Sequence, residues 1–327
     1  MKKIAPCLLA LPFILFAGAC ALAQTKPQPF PDKPLTLIVP NALDSAADDI
    51  ARLVGERLGT VLGQTIQFDN IAGANGTLGA ARAAKASADG YSLLMGSMNT
   101  HSGASTLYPN LPYDPVKDFV PVTWATNSPN LLVVHPSLPV KSARELIALA
   151  KARPNELNYG SGSAGSTPHL AAELFRAMTG VQIVRVAYKG SGPALTALLS
   201  GELHFMFPST GSANPLLKSG KLRPLAVTTL KPTALAPNLP TVAESGLPGY
   251  ESASLLAVFA PAGTPTAIVQ RLNQEMVKAL QSTEAHERLF NSGVEAVGST
   301  PEQFAVTLKN EMAKWGKVIK DAGIRSE

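Results

Sequence analysis

Short apolar runs alternate with helical patterns along most of the chain. That alternation constrains the fold more than any other feature. LTLIVP (35–40), TIQFDN (65–70) and YSLLMGS (91–97) read as strands. Residues 46–62 place Ile50, Val54, Leu58, Val61 and Leu62 on one helical face, and 76–86 is an Ala-rich helix. LLVVHP, a helix over 142–152, LNY, a helix over 168–179, VQIVRVAY, a helix over 193–200 and ELHFMFP continue the series. Strands alternating with helices build βαβ units, so an α/β fold with mostly parallel sheets is expected. There is no fixed-period repeat and no low-complexity tract.

Helix starts carry one recurrent signature. Thr167-Pro168, Thr264-Pro265 and Thr300-Pro301 each offer an N-cap hydroxyl before a proline at the first helical position. Thr300 with Gln303 and Ser142 with Glu145 have the spacing of capping boxes. Phe304, Leu308, Met312, Trp315 and Ile319 form one stripe on the last helix and read as core packing. Pro-rich stretches at 109–121 and 232–248 adjoin the extended segments VPVTWAT and SLLAVFAP. Two such crossings imply a middle domain inserted into an outer one. The expected division is an outer domain over 30–127 plus 250–327 and a middle domain over 128–249. A cleft between two hinged α/β domains is a favoured place for a small ligand.

The first residues point to export. Lys2 and Lys3 precede an apolar run from Ile4 to Ala19, and Ala21-Leu22-Ala23 is an A-x-A cleavage site. Residues 1–23 are therefore expected to be a signal peptide, giving a periplasmic protein. A membrane anchor is disfavoured, because the run is short for a span and ends in a cleavage site. Lipoprotein anchoring at Cys20 is disfavoured, because no Leu or similar residue stands three positions before it. Cys7 and Cys20 are the only cysteines, so the mature chain has no disulfide and depends on its core. Losing Lys2 and Lys3 takes two charges from the formal +5, leaving +3. That mild, dispersed charge, with no Lys/Arg run and no aromatic stacking series, argues against nucleic acid.

Residues 157–169, LNYGSGSAGSTPH, contain G-x-G-x-x-G at Gly160, Gly162 and Gly165. A dinucleotide site needs a fuller strand before the loop and a ribose-binding acid about 20 residues later. The region 182–187 offers Gln182 and Arg185 instead of an acid. Arg185 could suit a 2′-phosphate, but nicotinamide cofactors are scarce outside the cytoplasm. What survives is the loop's physical content. Gly and Ser let backbone N–H groups converge at a helix N-terminus, which favours an anion such as a carboxylate. The alternative is a flexible surface turn. No G-x-S-x-G, H-E-x-x-H, paired His/Cys spacing or P-loop occurs. Neither a catalytic set nor a metal site nor a cofactor is expected. His135 and His204 lie in strand-like runs and read as structural. His101 and His169 stand at loop-to-helix junctions and are better ligand candidates.

Several long strings carry a family resemblance. YSLLMGSMNTH, LYPNLPYDPVKDFVPV, LLVVHPSLPVKSARELIALAKARP, VAYKGSGPALTALLSGELHFMF, GKLRPLAVTT, LPTVAESGLPGYE and APAGTP occur in order. They resemble the tripartite tricarboxylate transporter receptors of the Bug or TctC type, from about Phe30 to Ile324. The resemblance implies a two-domain type II (Venus-flytrap) periplasmic binding fold with a hinged cleft. It further implies a non-catalytic monomer that captures a small carboxylate and presents it to membrane permease subunits or a sensor protein.

On that resemblance, ligand contacts are expected from Ala42, Asp44 and Ser45, from Ser97, Asn99 and His101, and from Ser161, Ser163, Ala164, Gly165, Ser166, Thr167 and His169. Pro208 and Ser209 complete the pocket. The family's first loop resembles F-A-P-G-G-x-x-D. Here Ala42 and Asp48 match, while Asn41, Leu43 and the pair Asp44-Ser45 depart from it. The family's Asp-Leu-Met-Phe-Asp is replaced around His204 and Pro208. In ENRPGAGG, here Asp69 to Gly76, the Arg-Pro pair is lost. Asp44 either faces the cleft and shifts preference away from simple dicarboxylates, or it or Ser45 caps the helix at Ala46 and points away. Two rivals stand beside the receptor: an exported enzyme acting on small acids, and a degenerate receptor kept for signalling.

Overall fold

The computed structural model describes residues 30–325; the expected signal peptide at 1–23, with Cys7 and Cys20, lies outside the described residues. The chain opens with β1 (Leu35–Val39), α1 (Ala46–Leu62), β2 (Ile66–Asn70), α2 (Thr77–Ala84), β3 (Ser92–Ser97), α3 (Ala104–Leu107) and β4 (Phe119–Pro129). It continues through β5 (Leu131–Val134), α4 (Ala143–Ala152), β6 (Asn158–Ser161), α5 (Thr167–Thr179), β7 (Val184–Ala187), α6 (Ser191–Leu199), β8 (Phe205–Met206), α7 (Thr210–Lys218) and β9 (Arg223–Val227). It closes with β10 (Ala253–Pro261), α8 (Thr266–Gln281), α9 (Thr283–Asn291), β11 (Glu295–Ala296) and α10 (Pro301–Asp321).

Two sheets organise these elements into two α/β lobes, with strand orders β11-β4-β10-β3-β1-β2 and β7-β6-β8-β5-β9. In the first sheet β1 is parallel to β2 and β3, but β10 is antiparallel to β3 and β4. In the second, β6 is parallel to β7 and β8, but β5 is antiparallel to β8 and β9. The sheets are thus less parallel than the alternating pattern suggests. β4 carries the chain out of the first sheet and β10 carries it back, so the two lie head to tail.

Both faces of each sheet are covered, and period-two alternation divides their side chains. Leu35, Leu37 and Val39 of β1 share a core with Val54 and Leu58 of α1. Ile38, between them, faces Ala80, Phe304 and Leu308. In β5, Leu132 and Val134 take one side and Leu131 and Val133 the other. Each such fully buried aliphatic side chain contributes about 1.5–3 kcal/mol.

The stripe on α10 serves both lobes. Phe304 and Leu308 belong to the first sheet's core. Trp315, Val318 and Ile319 pack with Leu132 and Phe175 of the second, and Met312 is half-buried. The Trp315 indole donates to Glu311 Oε2 at 2.6 Å, which satisfies the polar edge of a fully buried ring.

Helix starts depart from the Thr-Pro expectation in two of three places. Thr300 caps α10 in a complete capping box with Gln303. At α5 the cap is Ser166, one residue earlier than expected, so Thr167 is already helical. At α8 the cap position is Pro265, because the Thr264 hydroxyl donates to the Pro261 carbonyl and closes the preceding turn. Ser142 does accept from the Glu145 N–H, but Glu145 accepts from Lys141 rather than from Ser142, so that box is displaced outward.

Candidate ligand-binding site

Every loop singled out by sequence follows the carboxyl end of a strand: 41–46 after β1, 98–101 after β3, 162–167 after β6, and 208–209 after β8. In open α/β sheets this is where ligands bind. The first loop is tied down by Asp48, fully buried in the first turn of α1. Its carboxylate accepts from the Asp44 N–H at 3.1 Å, Asn70 Nδ2 at 2.8 Å and Arg52 Nε at 2.9 Å. Burial pushes the Asp48 carboxyl up. The bonds from Asn70, Arg52 and the Asp44 amide outweigh it and hold the group below its ordinary range. Ser45 is the helix cap and accepts from the Asp48 N–H. Asp44 sits at φ 59, the left-handed region glycine prefers, and is exposed together with Ala42.

The β3 loop is wound around Thr100. Its hydroxyl accepts from the Ser97 N–H at 2.8 Å and lies 2.9 Å from His101 Nδ1. The His101 ring is buried, stacked on Phe259 with centroids 3.7 Å apart and edge-on to Phe119. Burial drives its pKa from 6.5 to about 3, so it is neutral. The β2 loop adjoins this one. A Cβ on Gly76 would lie 3.0 Å from both the Pro40 carbonyl oxygen and Thr100 Cγ2, and φ there is 90. Glycine alone allows the ends of β1 and β3 to approach so closely.

In the second lobe, Ser161, Gly162, Ala164 and Gly165 are buried, Ser166 and Thr167 are half-buried, and Ser163 is exposed. His169 Nδ1 accepts the Gly165 N–H at 3.1 Å, so this ring is also neutral. Burial, then Arg185 and Arg176, lower its pKa to about 3. Arg185 donates to Ser161 Oγ and to the Gly162 carbonyl. Beneath the loop, Tyr159 donates to Glu173 at 2.6 Å and Arg176 pairs with the same carboxylate. Pro208 is buried and its carbonyl accepts from Leu131, while Ser209 caps α7. His135 and His204 engage Ser137 and Asn158, their own neighbours.

The two lobes bring their loops into contact. A Cβ at Gly165 would come within 2.5 Å of Leu107. Asn75, at φ 53, donates to the Tyr108 hydroxyl at 2.8 Å and reaches the Ala164 carbonyl at 3.5 Å. Asn75 and Tyr108 were not singled out by sequence, although Gly-Ala-Asn-Gly is a turn signature in which Asn tolerates the left-handed region. Two buried side-chain oxygens in these loops have no hydrogen-bond partner: Asn99 Oδ1 on the first lobe and Ser166 Oγ on the second. Buried polar atoms left open are uncommon and call for an explanation. Among the described residues no cluster of His, Cys, Asp or Glu could hold a metal, and no helix is long and apolar enough to cross a membrane.

Two sheets joined by two crossings, with small-residue loops meeting at their strand ends, define a bilobed solute-binding protein of the type II periplasmic class. The sequence matches the tripartite tricarboxylate transporter family receptors over residues 50–324, and the chain belongs to that family. It is 35% identical to protein BugT of Bordetella pertussis, over 97% of this chain and 98% of that one. Among solved structures, R. palustris Rpa4515 with adipate superimposes with a TM-score of 0.78 at 43% identity, covering 90% of this chain and 99% of the other. MatC from Rhodopseudomonas palustris with bound malate gives 0.74 at 33% identity, covering 89% and 100%. The family is one of transport receptors, which agrees with a binding protein rather than an enzyme.

Proposed function

We propose that the chain is an exported receptor that captures a small dicarboxylate between its lobes and delivers it to a membrane permease. Its signal peptide is residues 1–23, and it acts as a monomer free of a lipid anchor. The outer domain is 30–127 plus 250–327 and the middle domain 128–249. Closure turns on the crossing strands, where Asn130, Thr228 and Ser252 share a buried hydrogen-bond node. The observation that carries the reading is the set of open buried polar atoms in these loops, Asn99 Oδ1 and His101 Nε2 on the first lobe and Ser166 Oγ on the second. Backbone N–H groups around Ser163, Ala164 and the start of α5 supply donors for one carboxylate without an exposed charge constellation. The adipate and malate complexes of relatives at 43% and 33% identity favour a short aliphatic dicarboxylate.

Thermal-shift screening of the mature protein tests this, using mono-, di- and tricarboxylates, amino acids, aromatic acids and nicotinamide compounds. A ligand at a hundred times its Kd stabilises by about 2.7 kcal/mol. Stabilisation by C4–C6 dicarboxylates is expected. A panel without a hit contradicts the reading and favours a receptor retained for a protein partner.

A further inference from the structure

We infer that Arg185 is the positioning residue that sets the second lobe's loop to receive a carboxylate; the inference rests on the receptor reading above. Arg185 lies on β7 opposite Tyr159 of β6, two register positions before Ser161 pairs with Ala187. Its side chain follows β6 towards the loop. Nε donates to Ser161 Oγ at 2.8 Å and Nη2 donates to the Gly162 carbonyl at 2.8 Å. Both acceptors belong to buried residues. One planar guanidinium therefore holds two consecutive residues at the point where the strand becomes the loop.

The trans peptide bond converts that grip into a direction for the next donor. The Gly162 carbonyl and the Ser163 N–H belong to one planar unit and point oppositely. With the carbonyl turned to Arg185, the Ser163 N–H is turned away from it, and Ser163 is the exposed residue of the loop. The rest of the turn is fixed internally. The Ser166 N–H donates to the Ser163 carbonyl at 3.0 Å and the Gly165 N–H to His169 Nδ1 at 3.1 Å. Those bonds consume the N–H groups of Gly165 and Ser166. Among the described residues the N–H groups of Ser163 and Ala164 have no acceptor, and the Ser166 hydroxyl next to them is equally open. Arg185 thus aims the donors that the loop's own hydrogen bonds leave over. It is a positioning residue and need not touch the ligand.

Calorimetric titration of the mature protein with adipate, paired with hydrogen exchange at the Gly165 and Ser166 amides, tests the inference. Arg185→Met is expected to weaken adipate at least tenfold and to speed exchange in the loop. Arg185→Lys keeps the charge but has no planar fork, and is expected to remain at least fivefold weaker than wild type. Ser161→Ala removes one of the two acceptors with the charge intact, and should weaken adipate two- to fivefold. Wild-type affinity in Arg185→Lys would overturn the inference, because charge alone would then suffice. Unchanged affinity and exchange in Arg185→Met would overturn it outright. Should Arg185→Met not fold, Ser161→Ala decides, and wild-type affinity with wild-type exchange in that variant counts against the inference. Failure of wild type to bind any dicarboxylate would sink the receptor reading instead, and loop exchange in the variants would still report whether Arg185 holds the loop.

Discussion

Acidification from about pH 7.5 to about 5.5 should cost this fold roughly 2.7 kcal/mol through two histidines alone. His101 is buried between Phe259 and Phe119, and His169 is buried at the start of α5 with Nδ1 already accepting an N–H. Burial lowers His101 from 6.5 to about 3, and burial with Arg185 and Arg176 lowers His169 to about 3. In the unfolded chain both return to about 6.5. Across the interval an unfolded histidine goes from about a tenth to about nine-tenths protonated, while the folded one stays neutral. Each contributes about 1.4 kcal/mol, the value of one decade. The folded values are depressed, so the stability is fully present above about pH 6.5 and is lost as pH falls towards 3. His204, also lowered by burial, adds a smaller change of the same sign. Urea unfolding at the two pH values reads the difference directly, and His101→Leu should roughly halve it. A change below about 1 kcal/mol in the wild type, or an undiminished change in His101→Leu, would refute the reasoning.

Two further substitutions probe the first loop. Asp48→Ala removes the acceptor for the Asp44 amide, Asn70 and Arg52. A loss of about 3 kcal/mol is expected in denaturant titrations at neutral pH, with a smaller loss in Asp48→Asn, which keeps an acceptor oxygen. Because Asp48 is held below the ordinary carboxylate range, its contribution is present above about pH 4 and lost below it. Asp44→Gly relieves a left-handed residue at φ 59 but frees the unfolded chain, so stability should change by less than about 1 kcal/mol. If the ligand binds next to this loop, removing the exposed negative charge of Asp44 should tighten dicarboxylate binding about two- to threefold by calorimetry. An unchanged affinity would place the Asp44 carboxylate away from the ligand.

Residues whose role is set locally were legible in the sequence. α1 begins and ends where its apolar periodicity and Ser45 indicate, at Ala46 and Leu62. The α10 stripe is buried at Phe304, Leu308, Trp315 and Ile319, although periodicity could not reveal that it joins two cores. Thr264 was misread because a threonine hydroxyl before a proline can close the turn behind it instead of capping the helix ahead. α7 carried no visible signal, since Gly211 and Pro215 lie inside it and only the Ser209 cap and tertiary packing sustain it. That the loop at 161–167 is small-residue backbone running into a helix start was legible, but the hydrogen bonds that Arg185 makes to it were not. Arg185 reaches Ser161 through strand pairing, across 24 positions of sequence. His101 stood out at a loop-to-helix junction, yet its environment is made by Gly96, whose missing side chain admits the Phe259 ring. Such contacts belong to the fold and have no trace in local pattern.

The most direct measurement is a titration of the isotopically labelled mature protein with adipate, followed through its backbone amide resonances. Capture between the lobes requires the largest shifts at 41–46, 97–101 and 162–169, with Ser163 and Ala164 among the most affected. Shifts confined to another surface, such as the apolar groove formed by Phe119, Phe259, Leu308 and Met312, or no shifts with any short dicarboxylate, would contradict ligand capture at these loops.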